Sequence, residues 1–248
     1  MCRFYLIQSN TPINPGLYLP QIAETIQANT ALDGSPQADG WGIAYLDSHH
    51  VWQIEKSPKP IWDDETRFSI YPSSHRFVIH ARSTDQQVFK LAHNQPYKLQ
   101  WKNKQTGLQQ EAVFCCNLAL KGMKRRQIEK KIGQRLTGEI GAQKVASLIR
   151  HFLACGKTKE VALLDVVHLI QQYGSDIQVA NMGLMDKTGL AAACLYGVPS
   201  PQSSRYAQNH YRLQHYRDDS VQMIGSNQFG QLIWQPAFEN GEIRSVTR

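Results

Sequence analysis

Asp39-Gly40-Trp41-Gly42-Ile43-Ala44-Tyr45 is the stretch on which the reading of this chain turns. Two glycines flank a tryptophan at the start of an apolar β-type run, residues 42–46. Glycine inside a strand marks a bulge or a point where another group approaches the backbone closely. Outward from it, further β-type runs occupy residues 4–7, 51–55, 76–80 and 113–116, then 179–185, 190–196 and 221–225. Asp33-Gly34-Ser35-Pro36, Ser57-Pro58 and Tyr71-Pro72 punctuate several of them as turns. Helical patterns lie between, at 21–28, 144–154 and 160–173; in the second, Val145, Leu148, Ile149, Phe152 and Leu153 form a stripe of period 3.6. Strand clusters at both ends with helices between predict an α+β fold, helices packed on largely antiparallel sheets. The polar stretch 102–110 reads as a hairpin tip, and residues 1–248 as a single domain without repeats or linkers. No Gly-rich phosphate loop follows any strand, so a nucleotide-binding reading is unsupported.

Composition narrows the function. Of 248 residues, 42% are hydrophobic and 19% charged, a globular balance. No apolar run reaches the roughly 18 residues of a membrane span, and the first residues show no secretory pattern; the expectation is a cytoplasmic protein. The formal net charge is +7, with its densest basic cluster at Lys121, Lys124, Arg125, Arg126, Lys130 and Lys131. That segment, 121–136, reads as a solvated helix whose charge aids solubility rather than as a nucleic-acid face. The five cysteines, Cys2, Cys115, Cys116, Cys155 and Cys194, form neither a zinc-ligand spacing nor an even disulfide set. No metal and no cofactor is expected. Cys155 and Cys194 lie in apolar stretches and read as small core residues.

Cys2 differs because it follows the initiator Met1. A small second side chain favours Met removal, which leaves a cysteine bearing a free α-amine. A thiol of pKa about 8.5 and an amine of about 7.7–8.0 are matched near neutrality, so one residue carries both nucleophile and base. His80 then reads as a hydrogen-bonded neighbour rather than the base.

Met1-Cys2-Arg3, Asp39-Gly40-Trp41-Gly42, His80-Ala81-Arg82-Ser83-Thr84, Asn94-Gln95-Pro96-Tyr97 and Cys116-Asn117-Leu118 come in one order along the chain. In that order and spacing the sequence resembles the class II glutamine amidotransferases, amino-terminal nucleophile (Ntn) hydrolases, and especially their short stand-alone subfamily. Fainter matches, at 181–189, Gly225-Ser226-Asn227 and Trp234, extend the resemblance over the whole chain. It implies a four-layer αββα sandwich of two mainly antiparallel sheets. It implies that Cys2 attacks a glutamine side-chain amide and forms a γ-glutamyl thioester, that Arg82 grips the substrate carboxylate, and that Asn117 and the backbone of Leu118 form the oxyanion hole. Gly40 and Trp41 would border the substrate. With no synthase domain, the chain would hydrolyse a small glutamine-like amide as an end in itself or pass ammonia to a separate synthase.

Two departures qualify this. The family has His-Asn-Gly where this chain has Cys116-Asn117-Leu118, and a leucine at positive φ would be strained. The family also carries Asp-Ser-Glu before a helix, its aspartate holding the substrate's α-ammonium; the counterpart here is Gly141-Ala142-Gln143, with Glu139 the nearest acid. Losing that counter-ion costs roughly 1.5–3 kcal/mol. Three readings therefore stand: an active amidohydrolase, an Ntn-fold binding or regulatory subunit that has lost glutaminase activity, and an unrelated basic α+β protein contacting nucleic acid.

Overall fold

A computed structural model describes residues 2–29, 36–84, 90–197 and 210–247. Met1 and most of the expected turn at 33–36 lie outside the described residues. The strands are β1 (Arg3–Ile13), β2 (Trp41–Leu46), β3 (Trp52–Ser57), β4 (Ser74–Ala81), β5 (Tyr97–Lys102), β6 (Gln109–Lys121), β7 (Asp176–Asp186), β8 (Gly189–Ala193), β9 (Gln214–Arg217), β10 (Val221–Gly225) and β11 (Ile243–Thr247). The helices are α1 (Leu19–Ala28), α2 (Arg125–Ile132), α3 (Gly141–Ala154) and α4 (Lys159–Tyr173). They form two compact units: the residues up to Pro96 with Arg212–Phe238, and Tyr97–Tyr211 with the residues from Glu239 on.

The first unit is a six-stranded sheet in the order β3-β2-β4-β1-β10-β9, antiparallel throughout. Alternation sends Tyr5, Ile7, Trp41, Ile43, Phe77 and Ile79 to the face that packs against Leu19, Ile22, Ala23 and Ile26 of α1. Their neighbours Phe4, Leu6, Ala44, Val78 and His80 are equally shielded from water. Burial on both faces explains why these strands read as continuous apolar runs instead of alternating ones.

The second unit is a five-stranded antiparallel sheet in the order β11-β8-β7-β6-β5. The predicted stripe of α3, with Val145, Leu148 and Ile149, packs beside Leu163, Val166, Val167 and Ile170 of α4. Both helices bury Phe114, Cys116, Met182 and Ala191 of the sheet beneath them. The expected α+β class, two mainly antiparallel sheets with helices laid on them, is what the chain adopts. No helix among the described residues is long and apolar enough to cross a membrane.

Three local expectations are corrected. β6 continues to Lys121, so the basic stretch is split: only Arg125, Arg126, Lys130 and Lys131 of that cluster are helical, in α2, which Gly133 ends in the left-handed conformation (φ 66°). β5, β9 and β11 escape a search for apolar runs because Lys98, Gln100 and Lys102, Gln214 and Arg217, and Arg244 interrupt them. Cys194 is a buried core residue, but Cys155 caps the C-terminus of α3 and is only partly buried.

Replacing Ile149 by alanine opens a cavity in the second unit and costs roughly 2–5 kcal/mol. The same truncation at the exposed Leu164 of α4 stays within about 0.5 kcal/mol. Urea unfolding midpoints of the two variants check the assignment of the core face.

Candidate functional site

Three of the six candidate residues, Cys2, Gly40 and Arg82, meet at one corner of the six-stranded sheet. β1 and β2 both pair with β4 there, so that Arg3, Ala81 and Trp41 stand side by side across three strands. The chain just outside these partners holds the chemistry. The Cys2 thiol donates to the Ser83 carbonyl at 3.6 Å, and the Cys2 carbonyl accepts from the Arg3 guanidinium at 3.2 Å. The Arg82 N–H donates to the Gly40 carbonyl at 2.8 Å, and the Arg82 carbonyl accepts from the Asp39 N–H at 3.0 Å. Asp39 in turn accepts the Thr84 N–H on its carboxylate at 2.7 Å. The loop entering β2 and the loop leaving β4 are thus laced together beside Cys2.

Arg82 is 4% exposed, and its guanidinium donates to the Asn94 carboxamide oxygen at 3.3 Å. Asn94 donates from Nδ2 to the Ser57 carbonyl at 2.9 Å, so it ties Arg82 to the end of β3. Gly40 makes this possible. Its φ is 98°, and a Cβ there would stand 2.3 Å from Asn94 Nδ2 and 2.6 Å from the Ser57 oxygen. Gly42 is bare for the same reason: a Cβ would meet the Gln95 carbonyl at 2.4 Å. Of the two glycine readings, close approach of chain to backbone is the one realised.

Burial pushes the Cys2 thiol above its usual range, and the positive charges of Arg82 and Arg3 counter it only in part. The sulfur is therefore held as a thiol, and attack by it needs a base. Trp41 turns to the opposite face. Its indole donates to Asp64 at 3.0 Å and stands edge-on to Phe68 and Tyr71, in the core under α1. Burial also raises the Asp64 carboxyl, but hydrogen bonds from Ser57 and Trp41 and the charge of Arg67 outweigh it, leaving it below its ordinary value. Trp41 thus anchors the glycine loop from behind. His80 is fully buried in β4, between Phe4 and Gly42 in register.

Asn117 and Leu118 stand on β6 of the second unit, opposite Asn181 and Ala180 of β7. Asn117 is 3% exposed, within a strand rather than a turn. The strain considered for Leu118 does not arise: among the described residues, His50 alone has a positive φ without being glycine. Leu118 has another consequence. Its Cδ2 lies 3.2 Å from where a Cβ on Gly141 would stand, at the first residue of α3. The two departures from the family pattern are therefore neighbours, the leucine methyl occupying the space beside the glycine. Glu139 is exposed on the approach to that helix, where its N–H donates to the Gln143 side chain at 2.7 Å.

Sequence reasoning gave Asn94 no role, although it lay inside a quoted motif. The usable signal was the pairing of a flanking glycine with a distant asparagine, which the hydrogen bonds of Asn94 to Ser57 and Arg82 bring together. The described residues contain no group of three or more His, Cys, Asp or Glu side chains able to hold a metal ion.

Among solved structures, the chain is similar to a glutamine aminotransferase class-II domain protein from Silicibacter pomeroyi, with a TM-score of 0.59, 14% identity, and coverage of 99% of this chain and 95% of that one. It is also similar to a protein described as a predicted glutamine amidotransferase from Pseudomonas aeruginosa, with a TM-score of 0.53, 15% identity, and coverage of 99% and 96%. No family model and no curated protein matches the chain. At such identities the likeness is one of fold. The chain has the fold of class II glutamine amidotransferase domain proteins along nearly its whole length.

Gly40→Ala adds a clash to a strained backbone, whereas at Gly107 (φ 73°) nothing lies within 4 Å of an added Cβ. Gly107→Ala should cost on the order of 1–3 kcal/mol from its backbone alone. Gly40→Ala should cost about 1–3 kcal/mol more and shift the Arg82–Asn94 pair, measurable by thermal unfolding and by the NMR signal of the Arg82 side chain.

Proposed function

We propose that this chain is an amidohydrolase of the class II glutamine amidotransferase type, with Cys2 as its nucleophile once Met1 is removed. The observation that carries the reading is the corner just described, where a partly buried sulfur lies against Ser83 with Arg82 next in the chain. The released α-amine, with a pKa of about 7.7–8.0, accepts the proton that burial keeps on the sulfur. The thiolate attacks the amide carbon. The oxyanion is stabilised by Asn117 and the Leu118 N–H, roles carried over from the resemblance. The amine returns its proton to the departing ammonia, and water then cleaves the thioester. Arg82, held by Asn94 and the Gly40 carbonyl, binds the carboxylate at the far end of the substrate.

By the resemblance, residue 141 stands where the family's aspartate receives the substrate's α-ammonium, and that sets the substrate class in this reading. No carboxylate stands at residue 141 to receive an α-ammonium, and the Leu118 methyl fills the adjoining space. An ω-carboxamide acid without a free amine fits such a site better than glutamine. The same observation favours the second reading, a fold retained without glutaminase activity, if amine-free amides also fail.

Ammonia release measured on glutaramate, N-acetylglutamine and glutamine tests this. The account expects kcat/KM for the amine-free or acylated amides to exceed that for glutamine by about 10- to 100-fold, the equivalent of roughly 1.5–3 kcal/mol. Cys2→Ala abolishes turnover and Asn117→Ala lowers kcat about 10²–10³-fold. No thiol-dependent release from any of the three amides contradicts the proposal and leaves a binding role.

A further inference from the structure

A second cysteine has a built environment. Cys155 closes α3 one turn beyond His151, so the two side chains share a helix face. The Cys155 sulfur lies 4.0 Å from His151 Nε2. On the other side of the ring, Nδ1 is 2.8 Å from the Gln134 side-chain oxygen. A carboxamide oxygen only accepts, so Nδ1 carries the hydrogen and Nε2 presents its lone pair to the thiol. The ring is fixed further by the edge of Phe152, 5.3 Å between centroids. Nucleophile, base and orienting group thus follow one another in sequence.

The charges that act on His151 are both positive. Burial, then the positive charges of Lys104 and Lys157, hold His151 below its ordinary pKa, so the imidazole is neutral at pH 7 and can accept a proton. Lys157 also lies 4.8 Å above the Phe152 ring and pairs with Asp165. Gln105 folds over the turn, donating to the Cys155 carbonyl at 3.3 Å.

The backbone excludes acyl chemistry here. The N–H groups of Cys155, Gly156 and Lys157 donate to the His151, Leu153 and Phe152 carbonyls, so none of the three is turned toward a developing oxyanion. A disulfide needs no such donor. It requires a thiolate and a proton for the departing sulfur, and the Cys155–His151 pair supplies both.

We propose that Cys155 is a base-assisted thiol that exchanges with small anionic disulfides, a thiolation site whose chemistry is independent of Cys2. His151 Nε2 takes the thiol proton. The Cys155 thiolate attacks one sulfur of the incoming disulfide, the S–S bond breaks, and a mixed disulfide forms on Cys155. The second sulfur leaves with the electron pair and takes the proton back from His151. One disulfide is exchanged for another, and no further oxidant is consumed.

The test uses the full chain carrying Cys2→Ala, so that the amidohydrolase reading has no bearing on the outcome. Glutathione disulfide is the probe, and peptide mapping locates the adduct. We expect the adduct on Cys155. His151→Gln lowers the rate of its formation at least tenfold. Gln134→Ala, which leaves α3 unaltered in sequence, lowers it several-fold. Lys104→Glu slows glutathione disulfide but leaves the uncharged 4,4'-dithiodipyridine unaffected. Absence of a Cys155 adduct, or rates unchanged in both His151→Gln and Gln134→Ala, overturns the proposal.

Discussion

Residue 40 has no side chain because the carboxamide of Asn94 stands where one would be. That exclusion holds the candidate site together. With the position bare, Asn94 reaches from the Ser57 carbonyl to the Arg82 guanidinium, and the Gly40 carbonyl receives the Arg82 N–H. An arginine so deeply buried is costly to desolvate unless its hydrogen bonds are made. The glycine loop, the asparagine and the end of β4 offset that cost together, and Cys2 is positioned on the result.

The strands that build this corner were legible because both of their faces are dry. Runs such as Ile43-Ala44 and Phe77-Val78-Ile79 announce themselves without alternation, and the stripe of α3 was equally plain. β5, β9 and β11 were not, since half or more of their side chains are polar and a search for apolar runs passes over them. Cys2, Gly40 and Arg82 could be named from the order of the motifs. Trp41 could be named but not placed: period-two alternation decides which face it takes, and that puts its indole on Asp64. Asn94 was illegible as a partner of Gly40, because the two lie 54 positions apart (94 minus 40) and meet only in the folded chain, where Asn94 bonds to Ser57 and Arg82.

Leu118 and Gly141, two separate departures in the sequence, are neighbours in the structure. Read singly, a leucine for glycine threatened the backbone and a glycine for aspartate emptied a subsite. In the structure the leucine is unstrained in β6 and its methyl approaches the glycine. The two partly buried thiols differ in a similarly local way. Desolvation raises the Cys2 thiol, which in the proposed reading relies on its own α-amine, whereas the Cys155 sulfur lies beside His151 Nε2.

The central claim is that Cys2 becomes the first residue and attacks from a pocket that recognises a carboxylate. Intact and fragment mass spectrometry after incubation with a chloromethyl ketone built on glutaric acid tests it most directly. The account predicts chains that begin at Cys2 with a free amine and carry one adduct on its sulfur, protected by glutaramate. Chains that retain Met1 and stay unmodified at Cys2 would contradict it.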